Sequence, residues 1–321
     1  MSLSYLVRRL LLMLLTIFVA LTFSFILIRS LPGDPAERYY GDPRLPQEIK
    51  DEIKASFGLD KPVMMQYFIF LGNAFRGDLG VSFTYCQKVV PVIVSRLPWT
   101  LILTVIPTIL SMLVALNTGV YIAFNRGKFL DRFMRFFAFS LNAIPTFWLA
   151  LLMVMGLGFY AGWFPLQGMY DPLLQSGWQR LWSVIQHAFL PWLTLFIIST
   201  PAFSIQVRNL ALNILGEDFI VTARAKGLVQ SEIRRRHVLR NSLGPLFSFL
   251  TLRIAGLVGG AVLIETIFSW KGMGLLVLEA SRNSDYPLLQ ATVLMTIVLV
   301  IIANFSADLL QAAFDPRVRY G

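Results

Sequence analysis

Apolar residues along this chain are gathered into runs of about 20, the length at which an α-helix crosses the hydrocarbon core of a membrane. Shorter polar segments separate the runs and hold most of the charged residues. This pattern predicts an all-α polytopic membrane protein with six transmembrane helices. The runs lie at residues 10–31, 99–124, 136–160, 188–207, 245–270 and 287–310.

The charge pattern orients these helices. Hydrophobic residues make up 56% of the 321 residues and charged residues 14%, which excludes a soluble domain of this length. The net charge of +10 is uneven: segments on the side of the termini hold 15 basic and 5 acidic residues, and those on the other side hold 11 of each. The positive-inside rule therefore places both termini in the cytoplasm. Because the cations are spread over four pieces, nucleic-acid binding is disfavoured.

The polar segments also set the expected organisation of the chain. Between the first two runs, residues 45–57 and 64–75 have apolar positions at helical spacing, which predicts a helical extracytoplasmic insertion. Pro145 and Pro201 fall inside runs and predict local kinks. We expect a cytoplasmic N-terminus with the first helix (1–31), the insertion (32–98), a five-helix core (99–310) with a cytoplasmic loop (208–244), and a cytoplasmic tail (311–321).

The cytoplasmic loop is basic and helix-prone between residues 221 and 244. Residues 222–226 are adequate helix formers, and Gly227 can take the left-handed conformation that ends a helix. A second helix is expected at 231–242, returning toward the fifth run. A solvated basic face explains the charges of this segment but not its Ala-Lys-Gly turn. We therefore expect a surface that docks onto a cytoplasmic partner, with further cations available to anionic membrane lipid.

The chain lacks the motifs of a catalytic or metal site. No phosphate-binding G-x-x-x-x-G-K-[ST] loop occurs, and no serine-nucleophile or zinc motif is present. Cys86 is the single cysteine, and His187 and His237 are expected on opposite sides of the membrane. We therefore expect a non-catalytic subunit that holds no cofactor or metal of its own.

Few ionisable residues fall inside the apolar runs, where each costs about 2.5–3.5 kcal/mol at the bilayer centre. Arg29 and Asp308 lie near run ends, from which their side chains can reach the interface. Arg253 is deeper, and a place on a transport pathway competes with a structural contact as its explanation. The candidates for pathway-lining residues are Arg253, Glu265, Asn142 and Trp148.

Short motifs occur in order along almost the whole chain. They are P-G-D-P (32–35), F-G-L-D-K-P (57–62), G-D-L-G-V-S (77–82), I-P-T-F-W (144–148), G-W-F-P (162–165), T-A-R-A-K-G-L (222–228), R-H-V-L-R-N (236–241), E-T-I-F-S (265–269), G-M-G (272–274), D-Y-P (285–287) and D-P-R-V-R (315–319). With this ordered set the chain resembles the inner-membrane permease subunits of binding-protein-dependent ABC importers, in the dipeptide/oligopeptide/nickel branch and of its first-permease type.

The resemblance implies half of a translocation pathway in the cell (inner) membrane. The implied partners are a second homologous permease, two cytoplasmic ATPase subunits that bind ATP and Mg²⁺, and an extracytoplasmic substrate-binding protein. A short coupling helix would dock into a groove of the ATPase. The wider family's E-A-A start is replaced by Val221, Thr222 and Ala223, so docking cannot rest on a carboxylate there. The implied docking residues are Thr222, Ala223, Arg224, Ala225, Lys226, Gly227, Leu228, Arg236, His237 and Arg240.

The substrate is left open between three classes. Peptides are the first expectation, oligosaccharides the second, and nickel or another chelated metal the third, because the resemblance extends to importers of each. An exporter or channel subunit, or a membrane scaffold, is the alternative from a different class. Dependence on a secreted binding protein separates import from these alternatives.

Overall fold

The computed structural model describes residues 3–30, 47–48, 61–174 and 177–314. Its helices are α1 (Leu3–Arg29), α2 (Val63–Phe75), α3 (Val89–Phe124), α4 (Phe129–Asn142), α5 (Thr146–Met153), α6 (Trp178–Leu215), α7 (Asp218–Ala225), α8 (Gln230–Glu232), α9 (Arg240–Gly260), α10 (Val262–Ile267), α11 (Met273–Arg282) and α12 (Tyr286–Phe314). Strands β1 (Val81–Ser82) and β2 (Gln87–Lys88) pair as a short antiparallel hairpin. Two π-helical segments, Val154–Tyr160 and Ile233–Leu239, follow α5 and α8.

The all-α membrane class is confirmed. Within the described ranges, four helices are long and apolar enough to cross a membrane: Leu6–Arg29, Val89–Phe124, Trp178–Leu215 and Tyr286–Ser306. The pair Phe129–Asn142 and Thr146–Tyr160 makes a fifth if it is one broken span. Helix α9 occupies most of the predicted fifth run. The count of six spans stays a prediction.

The third predicted span is not one straight helix. The run at 136–160 is divided between α4 and α5, whose axes differ by 92°. Pro145 stands at the break, where it caps the N-terminus of α5 with an extended backbone. A proline has no amide hydrogen to donate and disfavours helical geometry in the residue before it, so the helix stops there. Helix α6, by contrast, continues through Pro191 and Pro201.

Two helices extend beyond their predicted spans. Helix α3 begins at Val89, so the last ten residues assigned to the insertion belong to it. Helix α6 runs for 38 residues and reaches Leu215, which removes 208–215 from the predicted loop. The hydropathy pattern detects the part of a helix that lies in lipid, whereas the helix itself continues until a residue such as Gly216 ends it.

Helices α3 and α6 form the centre of the fold and run in the same direction. The indole nitrogen of Trp192 donates to the carbonyl of Ile102 over 3.1 Å. Further along both helices, a Cβ on Gly119 would lie 2.6 Å from the carbonyl oxygen of Ser204 and from the Cβ of Val207. A glycine at position 119 is therefore what allows the two backbones to approach this closely.

The first and last helices pack side by side. Ala20 and Leu21 of α1 share a buried cluster with Leu294 and Ile301 of α12. Arg9 forms an ion pair with Asp308, which is therefore partnered within the protein as well as close to a helix end.

The second predicted helix of the insertion is confirmed as α2. Three other parts of the predicted pattern lie outside the described residues: the motif at 32–35, the helix at 45–57 apart from residues 47 and 48, and the motif at 315–319.

Candidate functional site

Helix α7 is the candidate docking element, and its sequence explains its position. Asp218 stands in its first turn and Arg224 in its last, an arrangement that complements the helix dipole. Ile220 and Ala223 are buried, with exposed fractions of 0% and 4%. They belong to an apolar group, here called the loop cluster, with Ala211, Ile214, Ile233 and Val238. These residues come from α6, from α7 and from residues 230–239, which lead into α9. The short helix is therefore fixed to its two neighbours.

The C-terminus of α7 ends as the sequence predicts. Gly227 has φ +77, in the left-handed region that favours glycine. Its amide donates to the carbonyl of Arg224 over 2.9 Å, and the amide of Leu228 donates to the carbonyl of Ala223 over 3.2 Å. This pair of bonds is a Schellman motif, with Leu228 packed on the loop cluster as its apolar contact.

The exposed side chains of α7 and of the turn that follows it include both apolar and cationic groups. Val221 and Val229 have exposed fractions of 60% and 62%, and Arg224 and Lys226 lie between them in sequence and are also exposed. These four residues are called the docking face below. Sequence reasoning missed the two valines because it selected the segment by its charge. Thr222, Ala225 and Gly227 are exposed beside them, whereas Ala223 and Leu228 pack inward.

The other three predicted docking residues lie on the return segment, which runs from Gln230 without a break into α9. Arg236 is exposed and pairs with Glu232 over 2.9 Å. His237 is partly buried, with its ring centroid 6.3 Å from that of Phe219 on α7. Arg240 is exposed. The structure therefore groups His237 with α7 through an aromatic contact and leaves the two arginines on the surface.

A buried ion pair holds the C-terminal part of α6 against α4. The guanidinium of Arg208 donates two hydrogen bonds to the carboxylate of Asp131, from Nε over 2.6 Å and from Nη2 over 3.0 Å. The amide of Gly127 donates to the same carboxylate over 2.8 Å. Asp131 is fully buried and Arg208 nearly so. Neither residue was singled out from the sequence, where both lie in basic segments that were explained by topology alone.

A cavity of about 300 Å³ opens between α3, α5, α6, α9 and α10. Arg253 of α9 is on its lining and is exposed, with its guanidinium carbon 5.6 Å from the ring centroid of Phe203. The lining also includes three residues that carry a hydroxyl group: Thr104, Thr146 and Ser199. The structure thus places Arg253 on the lining of a cavity between five helices.

Glu265 occupies a different position from the other pathway candidates. It is fully buried, and its carboxylate accepts hydrogen bonds from the hydroxyl of Thr100 over 2.6 Å and from the amide of Leu275 over 2.8 Å. Leu275 lies in the first turn of α11, so the carboxylate caps that helix. The same hydroxyl accepts from the amide of Met273 over 2.7 Å. These contacts give Glu265 a structural position away from the cavity lining.

The last two pathway candidates lie on either side of the break at Pro145. Asn142 is the last residue of α4 and is exposed. Trp148 is in the first turn of α5, with its side chain 48% exposed. The neighbouring Phe147, rather than Trp148, is on the cavity lining. The structure therefore brings Arg253 to the cavity and leaves Asn142, Trp148 and Glu265 off its lining.

Comparison with known proteins identifies the fold. The family model described as "Binding-protein-dependent transport system inner membrane component" matches residues 115–320. The chain belongs to this family. The corresponding N-terminal model, "Binding-prot-dependent transport system membrane comp, N-term", matches residues 2–104. The chain is therefore a non-catalytic membrane component of an ABC transporter and a multi-pass inner-membrane protein.

Curated relatives match the permease over its full length. It is 34% identical to the oligopeptide transport system permease protein AppB of Bacillus subtilis, over 99% of both chains. It is 33% identical to the di/tripeptide transport system permease protein DppB of Pseudomonas aeruginosa, again over 99% of both. Identity to the glutathione transport system permease protein GsiC of Escherichia coli K12 is 31% over 99% of both.

One solved structure shares the fold of the permease. It is a chain of the MetNI methionine ABC transporter, solved in inward-facing conformations. The TM-score is 0.57 at 19% identity, and the match covers 70% of this chain and 97% of that chain. At this identity the likeness shows the fold alone.

Proposed function

We propose that this permease forms half of the translocation pathway of an ATP-driven importer of peptides. The observation that carries the proposal is its full-length similarity to permease proteins of oligopeptide, di/tripeptide and glutathione transport systems. All three of these substrate classes are short peptides. Oligosaccharides and nickel chelates, the other classes that the sequence left open, have no such support among these three relatives.

The proposed assembly assigns ATP hydrolysis to other subunits. Two cytoplasmic ATPase subunits bind ATP and Mg²⁺, a second homologous permease supplies the other half of the pathway, and an extracytoplasmic binding protein delivers the peptide. Two observations support this division. The sequence of the permease contains no phosphate-binding loop, and the side chains of the docking face are exposed.

Both termini are proposed to lie in the cytoplasm. The charge distribution supports this orientation through the positive-inside rule. The ion pair between Arg9 and Asp308 adds support, because it joins the beginning of the first helix to the end of the last. Those two ends therefore lie at the same side of the helix bundle, as an even number of spans requires.

In the proposed mechanism, α7 transmits movement of the ATPase to the transmembrane helices. Ile220 and Ala223 are buried in the loop cluster with residues of α6 and of the segment that leads into α9. Packed interiors transmit displacement because side chains at close-packed density have little room to yield. A push on the docking face would therefore move α6 and α9 with α7.

The Gly227→Pro variant tests this docking role. Proline fixes φ near −65° and lacks an amide hydrogen, so it cannot adopt φ +77 or donate to Arg224. With the end of α7 displaced, we expect at least about a tenfold loss of ATPase subunits that co-purify with the tagged permease. Loaded binding protein is expected to stimulate the ATPase activity of the wild-type complex, and this stimulated activity should fall in parallel.

Two further variants separate loss of docking from loss of folding. Asparagine tolerates the left-handed region, so Gly227→Asn is expected to keep most of the co-purifying ATPase. The double variant Arg224→Glu/Lys226→Glu changes only exposed side chains and should weaken ATPase binding while the permease stays folded. Normal assembly and normal stimulated activity in both Gly227→Pro and the double variant would show that α7 is not the docking element.

A further inference from the structure

Among the described residues that line the cavity, Arg253 is the one that carries a positive charge. The described lining includes no aspartate or glutamate. Among the ion pairs found in the described residues, none involves Arg253, and its guanidinium lies near the ring of Phe203. Glu265 is the acidic residue closest to Arg253 in the sequence, but its two carboxylate oxygens accept hydrogen bonds from Thr100 and Leu275. The positive charge in the cavity is therefore not matched by a carboxylate of its lining.

The position of this charge calls for a ligand. An ionisable residue inside a membrane span is costly, and it is normally paired or faces water on a transport route. Phe203 is 2% exposed, and its ring centroid lies 5.6 Å from the guanidinium carbon of Arg253, within the range of a cation–π contact. The guanidinium fork matches the two oxygens of a carboxylate.

The remaining lining suits the body of a short peptide. Thr146 and Ser199 carry hydroxyl groups that can hydrogen-bond to amide groups, while Phe147, Leu195 and Ile198 provide apolar contact. The cavity volume of about 300 Å³ is at the lower end of the range for small-ligand sites.

We propose that Arg253 is a specificity-determining residue of the pathway, which pairs with carboxylates of the passing peptide and favours anionic over cationic peptides. The inference rests on the proposed peptide import and adds the charge preference and the residue that sets it. A weak, exchangeable pair is what transport requires, because the peptide must leave the cavity again.

The test compares uptake of an acidic and a basic dipeptide, Ala-Glu and Ala-Lys, by proteoliposomes that contain the whole complex. The same loaded binding protein serves every variant, so its own preference cancels when uptake ratios are compared between variants. We expect Arg253→Gln to lower the Ala-Glu to Ala-Lys ratio about tenfold, the effect of losing one charge-assisted pair. Arg253→Glu should lower the ratio further. Arg253→Lys keeps the charge but loses the guanidinium fork, so its ratio should lie between those of the wild type and Arg253→Gln.

A ratio that is unchanged in Arg253→Gln and Arg253→Glu would overturn the proposal. So would equal losses in Arg253→Lys and Arg253→Gln, since that result would mean that shape and not charge is needed. If the wild-type complex imported neither dipeptide, the proposed peptide function itself would fail, which distinguishes the two failures. Amounts of co-purifying ATPase confirm that each variant is assembled.

Discussion

Replacing Asp131 by alanine is expected to lower the free energy of unfolding by about 3–5 kcal/mol, because the substitution leaves a buried charge without its partner. Arg208 is 8% exposed and would lose both of its short hydrogen bonds to the carboxylate. The contact between α4 and the C-terminal part of α6 would loosen with it. Unfolding of the purified permease in mixed detergent micelles measures the effect, with loss of helical circular dichroism as the signal.

Two controls show whether the buried charge is the cause. Arg236→Ala removes an ion pair of similar length, 2.9 Å, but the arginine side chain is 73% exposed. Such a pair contributes about 0.3–0.5 kcal/mol, so this variant should unfold almost like the wild type. The double variant Asp131→Leu/Arg208→Met removes both charges and should recover most of the loss. Equal stability of Asp131→Ala and Arg236→Ala would contradict the importance given to this pair.

Replacing Gly272 by alanine is expected to destabilise the permease by about 2–5 kcal/mol, from overpacking and from displaced buried hydrogen bonds. A Cβ at this position would lie 2.3 Å from Oε1 of Glu265 and 2.4 Å from the hydroxyl oxygen of Thr100. Both of those side chains are fully buried and hydrogen-bonded to each other. Either the carboxylate must move away from the first turn of α11, or α11 must shift as a unit.

Gly72 of α2 provides the matched control for this substitution. A Cβ there meets nothing within 4 Å, and the residue has ordinary helical geometry. Alanine favours a helix over glycine by about 1 kcal/mol, so Gly72→Ala should leave stability unchanged or raise it. The same melting experiment on the two variants compares them directly. A Gly272→Ala protein as stable as Gly72→Ala would disprove the close contact at Glu265.

Several short motifs that the sequence shows far apart meet in the structure. The serine of the G-D-L-G-V-S motif, Ser82, donates to the carboxylate of Asp285 in the D-Y-P motif over 2.6 Å. Glu265 of the E-T-I-F-S motif contacts the position of Gly272 in the G-M-G motif. The motifs could be read from the chain, but the pairing of Ser82 with Asp285 could not, because a side-chain contact across 203 residues depends on how helices pack.

The local features of α7 could be predicted from the residues themselves. A helix that ends at a left-handed Gly227 follows from backbone chemistry over a few residues. The break at Pro145 was expected as a kink, but its angle of 92° has no counterpart in the local sequence. The apolar half of the docking face was missed, since an exposed valine has no local signal that separates it from a buried one.

Peptide uptake by proteoliposomes is the most direct test of the central claim, that this permease belongs to a peptide importer driven by ATP and a binding protein. The complex is isolated from native membranes through a tag on the permease and reconstituted with ATP enclosed on the side of the ATPase subunits. We predict that labelled Ala-Ala accumulates only when both ATP and the loaded binding protein are present, and that non-hydrolysable ATP analogue abolishes it. Accumulation that is indifferent to the binding protein, or outward movement of the peptide upon ATP hydrolysis, would contradict the account.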